Sequence, residues 1–294
     1  MPQEKLNDLA KKHGRNSIIT MLLFALGMIG LLVGMFMNNV YVRYAALACI
    51  AASIIIAFVL VDTAERRYFD AFEDLYMREE FKKRFHDFDY DRKNGFTRKE
   101  VEGMGFLKKH SRFMTYRRFK AKYKGADIDS CHLLFKRRNR SKSTDEITPR
   151  YEVQLIRITN MPVSMPDVIL RPRGASDNEG VRTRSNRPHK LAMNAGTPEF
   201  RKKYELLAMT VDDAAMLDDK LCNALVAYRE TMRAASRKCG VFVHFYGTNA
   251  DIMLGNYDNM LMPPMDPTLT HNRYARFAEN AADTVTEFID MFQE

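Results

Sequence analysis

The stretch Lys108–Lys124 (KKHSRFMTYRRFKAKYK) holds eight basic residues and no acid. These are Lys108, Lys109, Arg112, Arg117, Arg118, Lys120, Lys122 and Lys124, with Phe113, Tyr116, Phe119 and Tyr123 interleaved. Cations neutralise phosphate and aromatic rings stack on bases, so one chemistry open to this segment is single-stranded nucleic-acid binding. A second is contact with anionic lipid, which attracts polybasic segments only within a Debye length of the bilayer, about 8 Å at physiological salt. The third reading is structural: a strand with its apolar residues inward and a solvated basic face. The structural reading is preferred, anionic lipid stands next, and nucleic acid is disfavoured. The eight basic residues are the candidate contacts for an anionic ligand.

Other reactive-looking groups are weaker. Asp89, Asp91 and Glu100 fall at positions one, three and twelve of a calcium-loop pattern, with Phe96 at its apolar eighth position. The pattern fails where it matters, because Lys93 occupies a ligand position and Asn94 stands where the turn glycine belongs. An acidic helix end followed by a turn at Asn94-Gly95 is the better expectation. Cys239 and His244 are close in sequence, but a Cys–His nucleophile needs a third group to orient the base, and none is recognisable. No nucleophile elbow, zinc-protease helix or phosphate-binding glycine loop is present, and His13, His86, His110, His132, His189, His244 and His271 lack metal-ligand spacing. The expectation is therefore no enzyme, no metal and no cofactor.

The elements that must carry these residues begin in a membrane. Ser17–Met37 is an uncharged run of 21 residues, about 31 Å as a helix. Ala45–Val61 adds 17 apolar residues, about 26 Å. Asn38–Tyr44 joins them, and so short a connection makes an antiparallel hairpin. A signal peptide is disfavoured because the first run is too long and no small-residue cleavage site follows. Lys5, Lys11, Lys12 and Arg15 precede the first span and Arg66 and Arg67 follow the second, whereas the connecting loop has only Arg43. That asymmetry puts both chain ends on the cytoplasmic side. Cys49, Cys131, Cys222 and Cys239 are scattered, which fits reduced thiols rather than a disulfide framework.

Between Gly34 and Gly95 there is no glycine, and between Pro2 and Pro149 no proline. One helix should therefore run on from the second span to about Arg84. Its extramembrane part, Asp62–Phe85, carries an apolar stripe of Tyr68, Phe72, Leu75 and Tyr76. The stripe should pack on the protein's own soluble domain; pairing in a homo-oligomer is the alternative. Beyond Phe88 the pattern turns to strands at Arg112–Phe119, Tyr151–Ile158, Asp167–Arg171, Lys203–Met209, and a hairpin of Val241–Tyr246 with Ile252–Tyr257. Two amphipathic helices are expected. Val211–Arg237 opens on a Thr210/Asp213 capping box and carries Leu217, Leu221, Leu225, Tyr228 and Met232; Asn272–Phe292 carries Phe277, Ala281, Val285, Phe288 and Phe292. The stretches 137–150 and 171–198 read as disordered loops. The fold class is α+β: a transmembrane helical hairpin (1–61), a helical linker (62–86), and a domain on a mostly antiparallel sheet (87–294).

This layout resembles a known family. The segments Phe113-x-x-Tyr116-x-x-x-Lys120-x-Lys122-Tyr123-Lys124-Gly125, Tyr151–Ile158 running into Val168-Ile-Leu-Arg-Pro, and Thr197–Leu221 continued by the VFVHFY hairpin are similar to the bacterial membrane family catalogued as domain of unknown function 3137. The resemblance would cover nearly the whole chain. It implies a cytoplasmic α+β domain on a two-helix hairpin in a bacterial inner membrane, and it carries over no catalytic residue. With an excess of 46 basic over 37 acidic residues, the expected roles are a membrane-anchored adaptor or assembly factor with a protein partner or homo-oligomer, or a peripheral binder of anionic lipid.

Overall fold

A computed structural model of the chain describes residues 2–106, 112–136, 151–173, 190–192, 195–235, 239–255 and 263–293. The first helices are α1 (Pro2–Phe36) and α2 (Val40–Ile56), followed by a π-helical turn Ala57–Val61, α3 (Asp62–Phe72), a second π-helical turn Glu73–Met77, and α4 (Arg78–Arg84). Then come β1 (His86–Asp91), α5 (Arg98–Gly103), β2 (Arg112–Tyr123), β3 (Ala126–Lys136), β4 (Tyr151–Thr159), β5 (Met165–Pro172) and β6 (Lys190–Leu191). The chain continues with α6 (Pro198–Lys203), β7 (Tyr204–Ala208), α7 (Val211–Ala215), α8 (Asp219–Ala235), β8 (Gly240–Gly247), β9 (Asn249–Gly255) and α9 (His271–Asp290). The fold is α+β. It divides into two compact units, Met1–Glu80 with Leu261–Glu279, and Phe81–Met260 with Asn280–Glu294, a division different from the sequence segments 1–61, 62–86 and 87–294.

Among the described residues, two helices are long and apolar enough to cross a membrane by length and composition: Pro2–Phe36, in the first unit, and the uninterrupted helical run Val40–Arg84, whose apolar part also lies there. Asn39 caps α2, its Oδ1 accepting from the Tyr41 and Val42 N–H groups. Arg43, expected in the connecting loop, lies in the first turn of α2, the connection being only residues 37–39; it donates from Nε to the Gly34 carbonyl at 3.0 Å and from its guanidinium to Asn38 Oδ1 at 2.8 Å and so closes the end of α1. The two helices touch along a small-residue seam, which lets their backbones approach closely. A Cβ on Gly27 would lie 2.5 Å from Ile50 Cγ1 and 3.0 Å from the Ala46 carbonyl oxygen. Outward faces carry exposed Ile18, Leu22, Phe24, Ile29, Leu32 and Ile55.

Helix α1 starts well before its apolar run, and this amphipathic extension has a structural job. Leu6 and Ala10 are buried, as are Tyr68, Phe72, Tyr76, Leu269 and Tyr274. Tyr68 donates to the Pro264 carbonyl (2.8 Å), Tyr274 to Asn7 Oδ1 (3.1 Å), and Gln3 and Asn7 to the Leu269 carbonyl. The rings of Phe72 and Tyr76 lie 6.2 and 5.4 Å from Tyr274. The linker stripe is thus covered within the chain, by the N-terminal helix and the segment leading into α9. Leu6 is fully buried, so Leu6→Ala should cost about 2 kcal/mol through lost transfer energy and a residual cavity. Thermal melts in mild detergent, followed by helical circular dichroism, measure it.

Among the described residues, the second unit is built on a nine-stranded antiparallel sheet in the order β1-β2-β3-β4-β9-β8-β5-β7-β6. One face packs on helices: Phe119 meets Phe81 and Phe85, Phe245 meets Phe288 and Phe292, and Tyr228 donates to the Thr284 carbonyl. The other face is capped by Phe96, Val101, Met104 and Phe106 over Cys131, Leu133, Val153, Leu155, Phe242 and Met253.

Several expectations need correction. The acids at 87–91 do not end a helix: the helix stops at Arg84 and His86–Asp91 is the edge strand β1. Strand β3 went unpredicted because Ser130 and His132 are buried within it and blur its alternation. It is joined to β2 by the two-residue turn Lys124-Gly125, both at positive φ, a hairpin turn written without the usual asparagine. The single helix Val211–Arg237 is two helices: Thr210 and Asp213 form the capping box of α7, and Asp218 accepts from the Leu221 N–H (2.7 Å) at the start of α8. The expected loop 137–150 lies outside the described residues, as do 174–189 and 193–194 of 171–198. The described remainder of the latter includes β6, paired with β7.

Candidate functional site

The basic segment forms β2, and a β-bulge between Tyr116 and Phe119 decides where its cations go. Arg117 sits in the bulge at φ +55° and is buried, its guanidinium 5.4 Å from the Tyr116 ring centroid. The extra residue turns two backbone donors toward the preceding loop, Arg117 N–H to the Arg92 carbonyl and Arg118 N–H to the Asn94 carbonyl, both 3.1 Å. That loop is pressed onto β2 at Gly95, where a Cβ would stand 2.5 Å from Thr115 Cβ and 2.6 Å from the Tyr116 nitrogen. Gly95→Ala should therefore cost about 2 kcal/mol, because the colliding atoms are backbone and a Cβ fixed to it and cannot rotate away; a denaturant midpoint against wild type measures it.

Past the bulge, Arg118 donates to Asp129 (Nε–Oδ1 2.8 Å, Nη2–Oδ2 2.5 Å) and to Glu100 Oε1 (2.9 Å), and lies 4.9 Å over the Phe96 ring. The Asp129 hydrogen bonds hold its guanidinium firmly protonated, with Glu100 adding to the effect against burial. For Glu100, burial works upward, but hydrogen bonds from Thr97 and Arg118 outweigh it and bring the carboxyl below its usual range. Lys122 pairs with Asp87 (3.0 Å) and Lys124 with Asp290 (2.9 Å), each ammonium held more basic by that partner. Lys120 is exposed and stands in register between Asp89 and Asp129. Arg112 opens β2 opposite Lys136. Lys108 and Lys109 lie outside the described residues.

The sheet also assembles a row that no single segment announces. Asp89, Lys120, Asp129, Arg157, Asp251 and His244 are successive cross-strand partners over β1, β2, β3, β4, β9 and β8. Directly opposed residues share a face, so charges of alternating sign run in one line from Asp89 to Asp251, and His244 continues that line. Arg157 grips Asp251 through Nε (2.8 Å) and Nη2 (3.3 Å), Tyr246 donates to Asp251 (3.2 Å), and His244 Nε2 lies 2.9 Å from Asp167 Oδ1. Burial first, then the Asp251 charge, pushes the Tyr246 phenol up to about 12. The signal in the sequence was one ionisable Arg, Asp or His within each apolar strand: Arg157 in VQLIRI, Asp251 in ADIML, His244 in VFVHFY.

Asp91 accepts from the Lys93 and Asn94 N–H groups and from Asn94 Nδ2, whereas Glu100 caps α5 through Thr97. Asp91 and Glu100 thus serve separate local tasks, and Asp89 stands on β1 opposite Lys120. Cys239 and His244 are an odd number of residues apart, so strand alternation directs them to opposite faces. Burial pushes the Cys239 thiol up to about 12, as it does that of Cys131. Among the described residues, no group of three or more His, Cys, Asp or Glu side chains is placed to hold a metal ion. The arrangement's chemistry is mutual neutralisation: Arg118, Lys122, Lys124 and Arg157 are held against internal carboxylates. No protein-family model matches the chain, and neither a curated protein nor a solved structure matches it.

Proposed function

We propose that this protein is a membrane-anchored, non-enzymatic adaptor or assembly factor that presents its sheet domain at the cytoplasmic face of a bacterial inner membrane. The observation that carries the reading is the uninterrupted helical run Val40–Arg84, apolar in its first part and followed within two residues by β1. A domain tethered by its chain to a membrane span meets partners in that membrane at a raised local concentration. The basic flanks support cytoplasmic chain ends, and Arg43 is committed to Gly34 and Asn38. The resemblance to domain of unknown function 3137 supports the same placement.

The test is pull-down of the tagged full-length protein from native membranes in mild detergent, read by mass spectrometry. A stoichiometric protein partner, or stable self-assembly, is the expected result; reproducible recovery of a lone monomer overturns the adaptor. The alternative, anionic-lipid binding through Lys108–Lys124, is weakened by the internal partners of Arg118, Lys122 and Lys124.

A further inference from the structure

The cations beside the membrane spans are placed differently from those on β2. Lys11, Lys12, Arg15 and Arg67 are exposed, and among the described residues none of the four has an ion-pair partner. Arg66, beside them, is taken by Asp62 at 2.8 Å. The exposed apolar surface of α1 begins at Ile18 and that of the second span ends at Leu60. At helical rise, Arg15 is about 5 Å from that boundary, Lys12 about 9 Å, and Lys11 and Arg67 about 11 Å. Long basic side chains reach back toward an interface, which brings all four within about one Debye length of a bilayer surface. The acids nearest this level are Asp62, already paired, Glu65, Asp266, which accepts from Thr268 and whose charge reaches Tyr68, and Asp8, one turn further from the apolar surface than Lys11 and Lys12.

We propose that Lys11, Lys12, Arg15 and Arg67 form a juxtamembrane collar that selects anionic lipid headgroups from the leaflet it faces. The opposite end of the hairpin offers only Arg43, which is used internally, so the selectivity is one-sided. The proposal rests on the membrane-spanning reading. It moves lipid recognition away from β2, where internal carboxylates already occupy three of the cations.

The test reconstitutes the full-length protein in phosphatidylcholine vesicles with trace spin-labelled phosphatidylglycerol or spin-labelled phosphatidylcholine, and reads the motionally restricted lipid by electron spin resonance. The expected result is a several-fold preference for phosphatidylglycerol that disappears in about 1 M salt. Combined Lys11→Gln, Lys12→Gln, Arg15→Gln and Arg67→Gln should abolish it, and Lys120→Gln with Lys122→Gln and Lys124→Gln should leave it intact. Equal restriction of the two lipids, an unchanged preference in the collar variant, or its loss in the β2 variant overturns the collar. If the collar variant fails to insert, the salt dependence of the wild type still decides. Carbonate extraction separates the two levels: release of the wild type overturns the spanning reading and the collar together, whereas retention without lipid preference overturns the collar alone.

Discussion

Replacing His132 with phenylalanine should remove about 5 kcal/mol of acid sensitivity from the folded protein. His132 is buried on β3, its ring stacked at 5.6 Å on Tyr116, and among the described residues neither ring nitrogen has a hydrogen-bond partner. Burial, and then the Arg117 charge, lowers its pKa from 6.5 to about 3. The folded state therefore refuses a proton that the unfolded chain accepts. Above about pH 6.5 the group is neutral in both states and stability does not depend on it. As pH falls below that value, each unit costs about 1.4 kcal/mol, until the folded-state pKa near 3 is reached. Between pH 7.5 and 4.5 the wild type should lose about 2.7 kcal/mol through this residue. Phenylalanine keeps the stack and the volume, so stability at pH 7.5 should change by less than about 1 kcal/mol. Urea unfolding in mild detergent at the two pH values gives both numbers. Carboxylates also titrate in this window, and the difference between variant and wild type cancels them. Equal acid losses in the two proteins would refute the assignment.

Arg118→Met should lower stability by about 3 kcal/mol, the low end for breaking a buried ion pair, since the pair is only partly shielded. The loss comes less from the guanidinium's own attraction than from Asp129 and Glu100, left as neighbouring carboxylates at the edge of the Phe96 cap. Adding Asp129→Leu and Glu100→Gln should recover most of it, because removing every charge of a shielded cluster also removes its desolvation cost. Denaturant midpoints of the single and triple variants measure this. A single variant as stable as wild type would mean that Arg118 is a surface cation free to meet a ligand; the expected loss makes it a strut between β2, β3 and α5.

The membrane-spanning length, the α+β class and the VFVHFY hairpin were readable from the sequence because each rests on a local quantity. Ser17–Met37 is uncharged over enough residues whatever surrounds it, and alternation in a two-strand hairpin needs only its own turn. The run on to Arg84 was readable too, since the absence of glycine and proline is a local fact. Segments whose state depends on distant partners were not. β1 reads as an acidic run until β2 lies beside it, and β3 loses its alternation because both of its faces are covered. The basic stretch shows the limit most plainly. Its net charge is written in residues 108–124, but its neutralisation comes from Asp87, Glu100, Asp129 and Asp290, up to 166 positions away. Likewise, Asp129, Arg157, Asp251 and His244 become one charged row only through strand register, a property of pairing across the sheet. The sequence by itself determined where apolar surface runs along the chain and how charge is distributed. Only the tertiary structure decided which charges remain exposed, because an ion pair is set by separation in space and by the burial that sharpens it.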